Sequence, residues 1–383
     1  MHNSKLSIVI LAVSVTILRI MHAEVALGDM GSFAVGLKAG ISHTDNITLS
    51  SEEISDTVIT LEPSLQYKTD EGAASIEASV GVESKQYSEL DGNDADNIKS
   101  NVRITFPDVR DGENYSLVLE GGYNENTTAR SSLQSVIQTE ELDLSLDGNY
   151  YFDDYTTLRF GIENTDNESQ TENFADVNTL SLPFALILEL DEAFNAGIGY
   201  RYRSTDVESI TSEKADSTDH AFYFCFENQP SAVWAYAVKV GLQERQFEED
   251  ATFEDEHGLY ASFVSKWQFS AMTELQSELA NEYGTTLANQ SSETAGLTLQ
   301  LNHKFDERLS ASFGLSYEEI EYLQVNGSTR EDDRFTSFLN VDYDINGENW
   351  FLRAMVGYED NSSNFDRANY TALSAGIHSV FVY

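Results

Sequence analysis

Charged side chains are the residues of this sequence most able to act on a solute, and they recur at alternate positions. They fall in segments of about ten residues whose other positions are Leu, Val, Ile or Ala. Side chains two residues apart share one face of a β-strand, so each segment predicts a strand with one charged and one apolar face. The charged face carries Lys38, Glu62, Arg103, Glu120, Arg159, Arg201, Arg203, Lys239, Lys266, Glu278 and Arg353.

The apolar face of these strands has the pattern of a wall in contact with lipid. In 33–41, for example, Phe33, Val35 and Ile41 alternate with small or polar residues. Aromatic residues gather at both ends of the strands, Trp234 at one end and Tyr283 at the other among them, with aliphatic residues between. Two aromatic girdles around an aliphatic band are typical of transmembrane barrels. So many charges on the opposite face cannot meet lipid, so we predict that the eleven residues line a wet interior.

The connections between the strands predict an up-and-down arrangement. About eighteen segments alternate between short connections, such as 152–155 and 305–308, and long ones, such as 124–135 and 163–176. The fold class is therefore all-β: a transmembrane antiparallel β-barrel with short periplasmic turns and long acidic extracellular loops. The acidic stretches 88–97 and 247–256 account for part of the net charge of −43.

Composition excludes several other classes of function. A net charge of −43 argues against nucleic acid as a partner, because phosphates require a basic surface. Cys225 is the one cysteine, which excludes an intrachain disulfide and a cysteine-based zinc site. It is interpreted as a passive residue of the wall.

Neither an enzyme site nor a metal site is predicted. His220 follows Asp219 and His257 follows Glu256, but neighbouring side chains of a strand diverge. The segment 91–97 spaces oxygen ligands as a calcium loop does, yet it lacks the later Glu of an EF-hand. We expect no catalytic residues, no metal and no cofactor.

The N-terminal residues predict export. Lys5 precedes an apolar run over 6–18, which is the length of a signal peptide core. We expect residues 1–28 to be a signal peptide cleaved after Ala23 or Gly28, and residues 29–383 to form one barrel domain. No later run is long enough for a transmembrane helix.

The last strand suggests a partner. It ends on the aromatic Tyr383, with Phe381 and Ile377 on the same face. A terminal aromatic strand resembles the signal that the outer-membrane insertion machinery recognises. The other expected partners are outer-membrane lipid and lipopolysaccharide.

The opening hairpin resembles the putative beta-barrel porin 2 family of Gram-negative outer-membrane proteins. The likeness lies in "GLKAGISHTDNITLS", where His43, Thr44, Asp45, Asn46 and Ile47 carry the motif, and in "LEPSLQYKTDEGAASIEASVGVESKQY" after it. The resemblance implies an integral protein of the outer membrane. It also implies a link to exopolysaccharide synthesis or export, with partners from that process, and it carries over no catalytic residue.

Two functions follow as expectations. The first is a porin-like channel for the passive passage of small hydrophilic solutes, with a further role in exopolysaccharide export. The alternative is a closed structural or adhesive barrel that transports nothing. The two differ in whether the charged face borders an open lumen.

Overall fold

The computed structural model describes residues 25–26, 31–69, 74–106, 114–208, 215–247, 253–323, 329–347 and 349–382. Most of the predicted signal segment, with both candidate cleavage positions, lies outside the described residues. So does Tyr383, and the role expected of it stays a prediction.

Eighteen long antiparallel strands form a closed barrel. Each strand pairs with the next along the chain, and the last pairs with the first from Ser374↔Thr44 to Val382↔Gly36. A two-residue strand, β1 (Val25–Ala26), adds to one end of the first long strand. The predicted all-β class and the antiparallel barrel of about eighteen strands are confirmed, whereas the periplasmic side of the short turns and the acidity of the long loops stay predictions. The long strands are β2 (Ser32–Thr44), β3 (Asp56–Thr69), β4 (Ser75–Tyr87), β5 (Ala95–Thr105), β6 (Tyr115–Arg130), β7 (Ser135–Tyr151), β8 (Thr156–Ser169), β9 (Asp176–Asp191), β10 (Phe194–Glu208), β11 (Ser217–Ser231), β12 (Trp234–Phe247), β13 (Glu256–Ser270), β14 (Thr273–Thr286), β15 (Gln290–Lys304), β16 (Leu309–Leu323), β17 (Arg330–Asp344), β18 (Trp350–Ser363) and β19 (Tyr370–Val382).

The outer face of the barrel is apolar. Leu144 is 50% exposed and Phe224 59% exposed, although both are large and hydrophobic. Such side chains recur at alternate positions, and Trp234, Trp267 and Phe305 add exposed aromatic rings toward the short-turn end. In water this surface would be a large unfavourable patch, whereas in a bilayer it is solvated by lipid tails.

Among the described residues, none forms a helix long and apolar enough to span a bilayer.

Aspartates close two of the short turns. Asp306 Oδ1 accepts hydrogen bonds from the backbone N–H groups of Arg308, at 2.7 Å, and Leu309, at 2.8 Å. Asp153 Oδ1 accepts one from the Tyr155 N–H at 2.9 Å. These bonds stabilise the ionised carboxylates and hold the pKa of each below its ordinary value. The turns are thereby fixed in register with the strands they join.

Two hairpins at the long-loop end differ from the sequence-based expectation. The segment 124–135 was expected to be a loop, but β6 runs to Arg130 and β7 begins at Ser135, with a four-residue turn at 131–134. Likewise β14 and β15 are joined by only three residues, 287–289. The strands are therefore longer than ten residues, at 11 to 17. Backbone pairing within a hairpin satisfies its own polar groups, so the strands can continue where the apolar alternation has ended.

The same two hairpins leave the wall on one side. The β5–β6 ladder ends at Lys99↔Asn124, and the β13–β14 ladder ends at Ala261↔Asn281. Beyond these points β6 and β14 pair only within their own hairpins, and we call the upper hairpins ribbon A (β6–β7, 125–139) and ribbon B (β14–β15, 282–291). In ribbon A, β7 also separates from β8 above Thr139↔Ser169, whereas in ribbon B, β15 stays paired with β16 up to Ser291↔Leu323. β6 and β14 are eight strands apart in a barrel of eighteen, so the ribbons come from nearly opposite walls.

Candidate functional site

The eleven charged residues singled out in the sequence lie on the inner face of the barrel. On each strand they alternate with the exposed apolar side chains of the outer face: Arg201 with Ile198, for example, and Lys239 with Val240. The strand register places several of them beside partners of opposite charge. Whether they border an open pore stays a prediction.

Neighbouring strands form ion pairs along this inner face. The pairs are fixed by register, because the partners lie directly opposite each other in the ladders, except for Lys266 and Glu274, which are diagonal neighbours. A carboxylate beside each of these cations lowers the effective charge of the wall. The pairs are Lys38–Glu62 at 3.4 Å, Lys68–Glu77 at 2.8 Å, Lys266–Glu274 at 2.9 Å, Arg353–Asp342 at 2.7 Å and Arg103–Glu120.

Two further ion pairs join strands that are not neighbours. Arg159 on β8 binds Glu227 on β11 with both guanidinium nitrogens, one of them at 2.8 Å. Arg201 on β10 binds Glu282 on β14, with 3.1 Å between Nη1 and Oε2. Such contacts span the concave inner side of the wall, and the wall from β8 to β14 must curve strongly to allow them.

A chamber lies along this curved part of the wall. It has a volume of about 470 Å³ and is bordered by both ion pairs, with Lys239, Glu163 and Ser262. Its apolar part is a buried cluster of Ile187, Ala221, Tyr223, Cys225 and Tyr260. The chamber thus offers charged groups of both signs beside flat aromatic faces.

The aromatic rings in the chamber contact its cations. The Tyr223 and Tyr260 rings lie 5.1 Å apart, with the Arg201 guanidinium 4.8 Å from the Tyr260 centroid. The Lys239 ammonium lies 5.6 Å from the Tyr223 centroid, within the range of a cation–π contact. Sequence reasoning did not single out these tyrosines. The available signal was their position, because both are large aromatics on the charged face of their strands.

Asp219 binds two arginines close to ribbon B. Arg245 Nε and Nη2 donate to Asp219 at 2.6 and 2.9 Å, and Arg203 Nε donates to it at 2.7 Å. Arg245 is fully buried, and its guanidinium carbon lies 5.1 Å from the centroid of the Tyr283 ring. The sequence analysis named Arg203 on the inner face and did not name Arg245, although Arg245 shares the alternation of Lys239 on β12.

Tyr283 corrects the predicted outer girdle. It was expected to face lipid at the long-loop end of β14, but it is 2% exposed and packs against Arg245. The reason is that β14 separates from β13 above Asn281, so the alternation of the lower strand no longer sets which side faces lipid.

The two His/acid neighbours do not form shared sites. The Tyr200 hydroxyl lies 2.7 Å from His220 Nδ1 on the outer face, whereas Asp219 points inward to its arginines. His257 is exposed, 3.9 Å from Glu244. In the part of the chain that the structure describes, no group of three His, Cys, Asp or Glu side chains could hold a metal ion.

The tips of the ribbons meet over the mouth of the barrel. Leu133 of the ribbon A turn and Leu287 of the ribbon B turn pack in one apolar cluster with Ile137, Phe174 and Val177. Hydrogen bonds tie the tips to other parts of the rim. These are Ala175 N to Leu287 O at 2.8 Å, Ala215 N to Asn289 Oδ1 at 2.9 Å, Arg334 Nη1 to Ser131 Oγ at 2.8 Å and Gln134 Nε2 to Arg367 O at 2.8 Å.

Comparison with known families agrees with the resemblance of the opening hairpin. Residues 231–380 match the family described as Putative beta-barrel porin 2. This segment covers the second half of the barrel, whereas the motif at His43–Ile47 lies in the first. Among proteins with curated functions, none matches the chain.

Solved outer-membrane barrels share the fold. OccK2 (OpdF) of Pseudomonas aeruginosa aligns with a TM-score of 0.51 at 9% identity, over 91% of this chain and 98% of that one. The outer-membrane protein OpdK of the same organism aligns with a TM-score of 0.50 at 8% identity, over 92% and 99% of the two chains. At these identities the likeness concerns the fold alone. The family match, the barrel and its apolar outer face identify an integral protein of the outer membrane with a porin-like barrel.

Proposed function

We propose that this chain is a porin-like channel for the passive passage of small hydrophilic solutes. The observation that carries the proposal is the inner face, where paired charges surround a chamber that also holds the Tyr223 and Tyr260 rings. So many ionised groups must be solvated by water or paired with opposite charges, and a water-filled interior allows both. Charged groups of both signs can exchange hydrogen bonds with polar solutes at little net cost.

The contacts at the mouth favour a second candidate, the closed structural or adhesive barrel. Ribbons A and B meet through Leu133 and Leu287, and an apolar contact excludes water and ions. If the ribbons stay together, the inner charges serve only to stabilise the wall. The further role in exopolysaccharide export stays a prediction, since a polymer would have to pass the ribbons as well.

Single-channel recording separates the two candidates. Residues 29–383, refolded and inserted in a planar bilayer, should give steady conductance steps, and proteoliposomes should swell in small neutral solutes. Glu227→Gln removes the carboxylate that binds Arg159, so it should change the selectivity of a pore between cations and anions. Correctly folded barrels that neither conduct nor allow swelling would contradict the channel and favour the closed barrel.

A further inference from the structure

The wall holds ribbon B on one side only, where β15 stays paired with β16 up to Ser291↔Leu323. Above Ala261↔Asn281 β14 no longer pairs with β13, so its backbone has a free edge on that side. Unpaired backbone groups can pair elsewhere, and an edge of this kind moves unless it is held. The question is which side chains hold it across the lumen.

Two arginines of the adjoining wall, on β10 and β12, bind this edge. Arg203 Nη2 donates to the Tyr283 carbonyl at 2.5 Å, and Arg245 Nη1 donates to the Gly284 carbonyl at 2.7 Å. Arg245 Nη1 also reaches Ser291 Oγ, on the second strand of the ribbon, at 2.5 Å. Both strands of ribbon B are therefore bound at one point, directly above the chamber.

One carboxylate holds both arginines in place. Asp219 receives two hydrogen bonds from Arg245 and one from Arg203, and it is itself buried at 3% exposure. Without it, the two guanidinium groups would lose the counter-ion that they share, and the one remaining nearby would be Glu282, 3.8 Å from Arg203 Nη1 and already bound to Arg201. They would move toward water, and ribbon B would lose its hydrogen bonds to the wall.

We propose that Asp219 sets the size limit for solutes, because it holds Arg203 and Arg245 against ribbon B and so keeps the ribbon across the lumen. The effect on the size limit rests on the proposed channel function, but the position of ribbon B can be measured without any transport. Release of ribbon B separates Leu287 from Leu133 and widens the mouth.

The variant that tests this is Asp219→Asn, with Asp342→Asn as its matched control. Asp342 is also an inner-face aspartate bound to an arginine, Arg353, with contacts at 2.7 and 3.0 Å, but it lies far from the ribbons. Asp219→Asn should raise single-channel conductance several-fold and admit larger neutral solutes in liposome swelling. Asp342→Asn should leave the size limit unchanged.

A disulfide trap reports the position of the ribbon without any transport. In a Cys225→Ser background, Ala175→Cys and Leu287→Cys place thiols at residues whose backbones are hydrogen-bonded at 2.8 Å. Oxidation should link them rapidly and lower conductance, and a reductant should restore it. Adding Asp219→Asn should slow the cross-linking several-fold, because the two residues then meet less often.

The outcomes separate the two proposals. Unchanged cross-linking in folded Asp219→Asn barrels would overturn the role of Asp219, whatever the conductance. Slower cross-linking with no conductance in any variant would support the role of Asp219 and contradict the channel. Slower cross-linking with larger conductance would support both.

Discussion

At the scale of the residue, a glycine allows the aromatic part of the chamber to form. Gly241 lies between Tyr223 and Tyr260 in the ladders of β11, β12 and β13. Because Gly241 has no side chain, the two rings meet over it at 5.1 Å. A Cβ there would lie 1.8 Å from the Phe222 carbonyl oxygen and 2.6 Å from the Tyr223 Cα. These neighbours are backbone atoms, so a side chain cannot be accommodated by a simple rotation.

Gly241→Ala should therefore destabilise the barrel and disturb the chamber. We expect a loss of about 1–3 kcal/mol in the free energy of unfolding, which is typical of overpacking. Urea unfolding of the protein in lipid vesicles measures it. Gly122→Ala is the control, since that inward-facing glycine has its nearest neighbour at 3.7 Å from a built Cβ. Equal stability of the two variants would show that β11 and β12 can separate there without cost.

At the scale of the element, neighbouring residues of a strand have opposite surroundings. One side chain faces lipid and the next faces the interior. Leu144 on β7 faces outward and is 50% exposed, whereas Ser145 beside it faces the interior. The outward series continues with Leu142 and Leu146, so Leu144 lies within the apolar band. The two positions have nearly the same depth and opposite surroundings.

Leu144→Arg should consequently cost far more than Ser145→Arg. A guanidinium on the lipid face near the bilayer midplane costs about 2–4 kcal/mol, whereas on the inner face it meets water and carboxylates. Urea unfolding in vesicles and the amount of protein in the outer membrane should both fall for the first variant. A similar cost for both substitutions would contradict the assignment of the two faces.

Element boundaries are where sequence reasoning was least complete. The alternation identified the strands and the two faces of each. It did not identify the upper parts of β6, β7, β14 and β15, because Asn, Thr and Ser in 124–135 resemble loop residues. There the strand is maintained by pairing within the hairpin, which leaves no hydrophobic pattern to read.

At the scale of the whole molecule, cations of the inner face are paired with carboxylates, whereas the chain as a whole is strongly negative. The net charge is −43, yet cations of the inner face such as Arg103, Arg159 and Arg201 have carboxylate partners. The unbalanced charge is therefore negative. The sequence predicts that the long loops carry much of it, and a negative potential at the entrance would raise the local concentration of cations and lower that of anions.

A conducting form of this barrel should in consequence prefer cations. The reversal potential across a KCl gradient should have the sign of potassium selectivity, and the preference should weaken as ionic strength rises and the Debye length shortens. Asp219→Asn barrels are suitable for the measurement, as their conductance is expected to be larger. Anion selectivity would mean that the inner cations are less neutralised than their ion pairs suggest.

The sequence by itself determined the class of the molecule: strands of period two, an apolar face with aromatic ends, a charged face, and a count of strands close to eighteen. These properties are local, since each depends on residues a few positions apart. The tertiary structure decided which charges meet on the inner face, as Arg201 and Glu282 do, and that β6 and β14 separate from β5 and β13 in ribbons A and B. The tertiary structure also placed Tyr283 against Arg245 in the interior and not against lipid. Such contacts join residues far apart in the chain, and their formation depends on the curvature of the closed wall, which alternation does not encode.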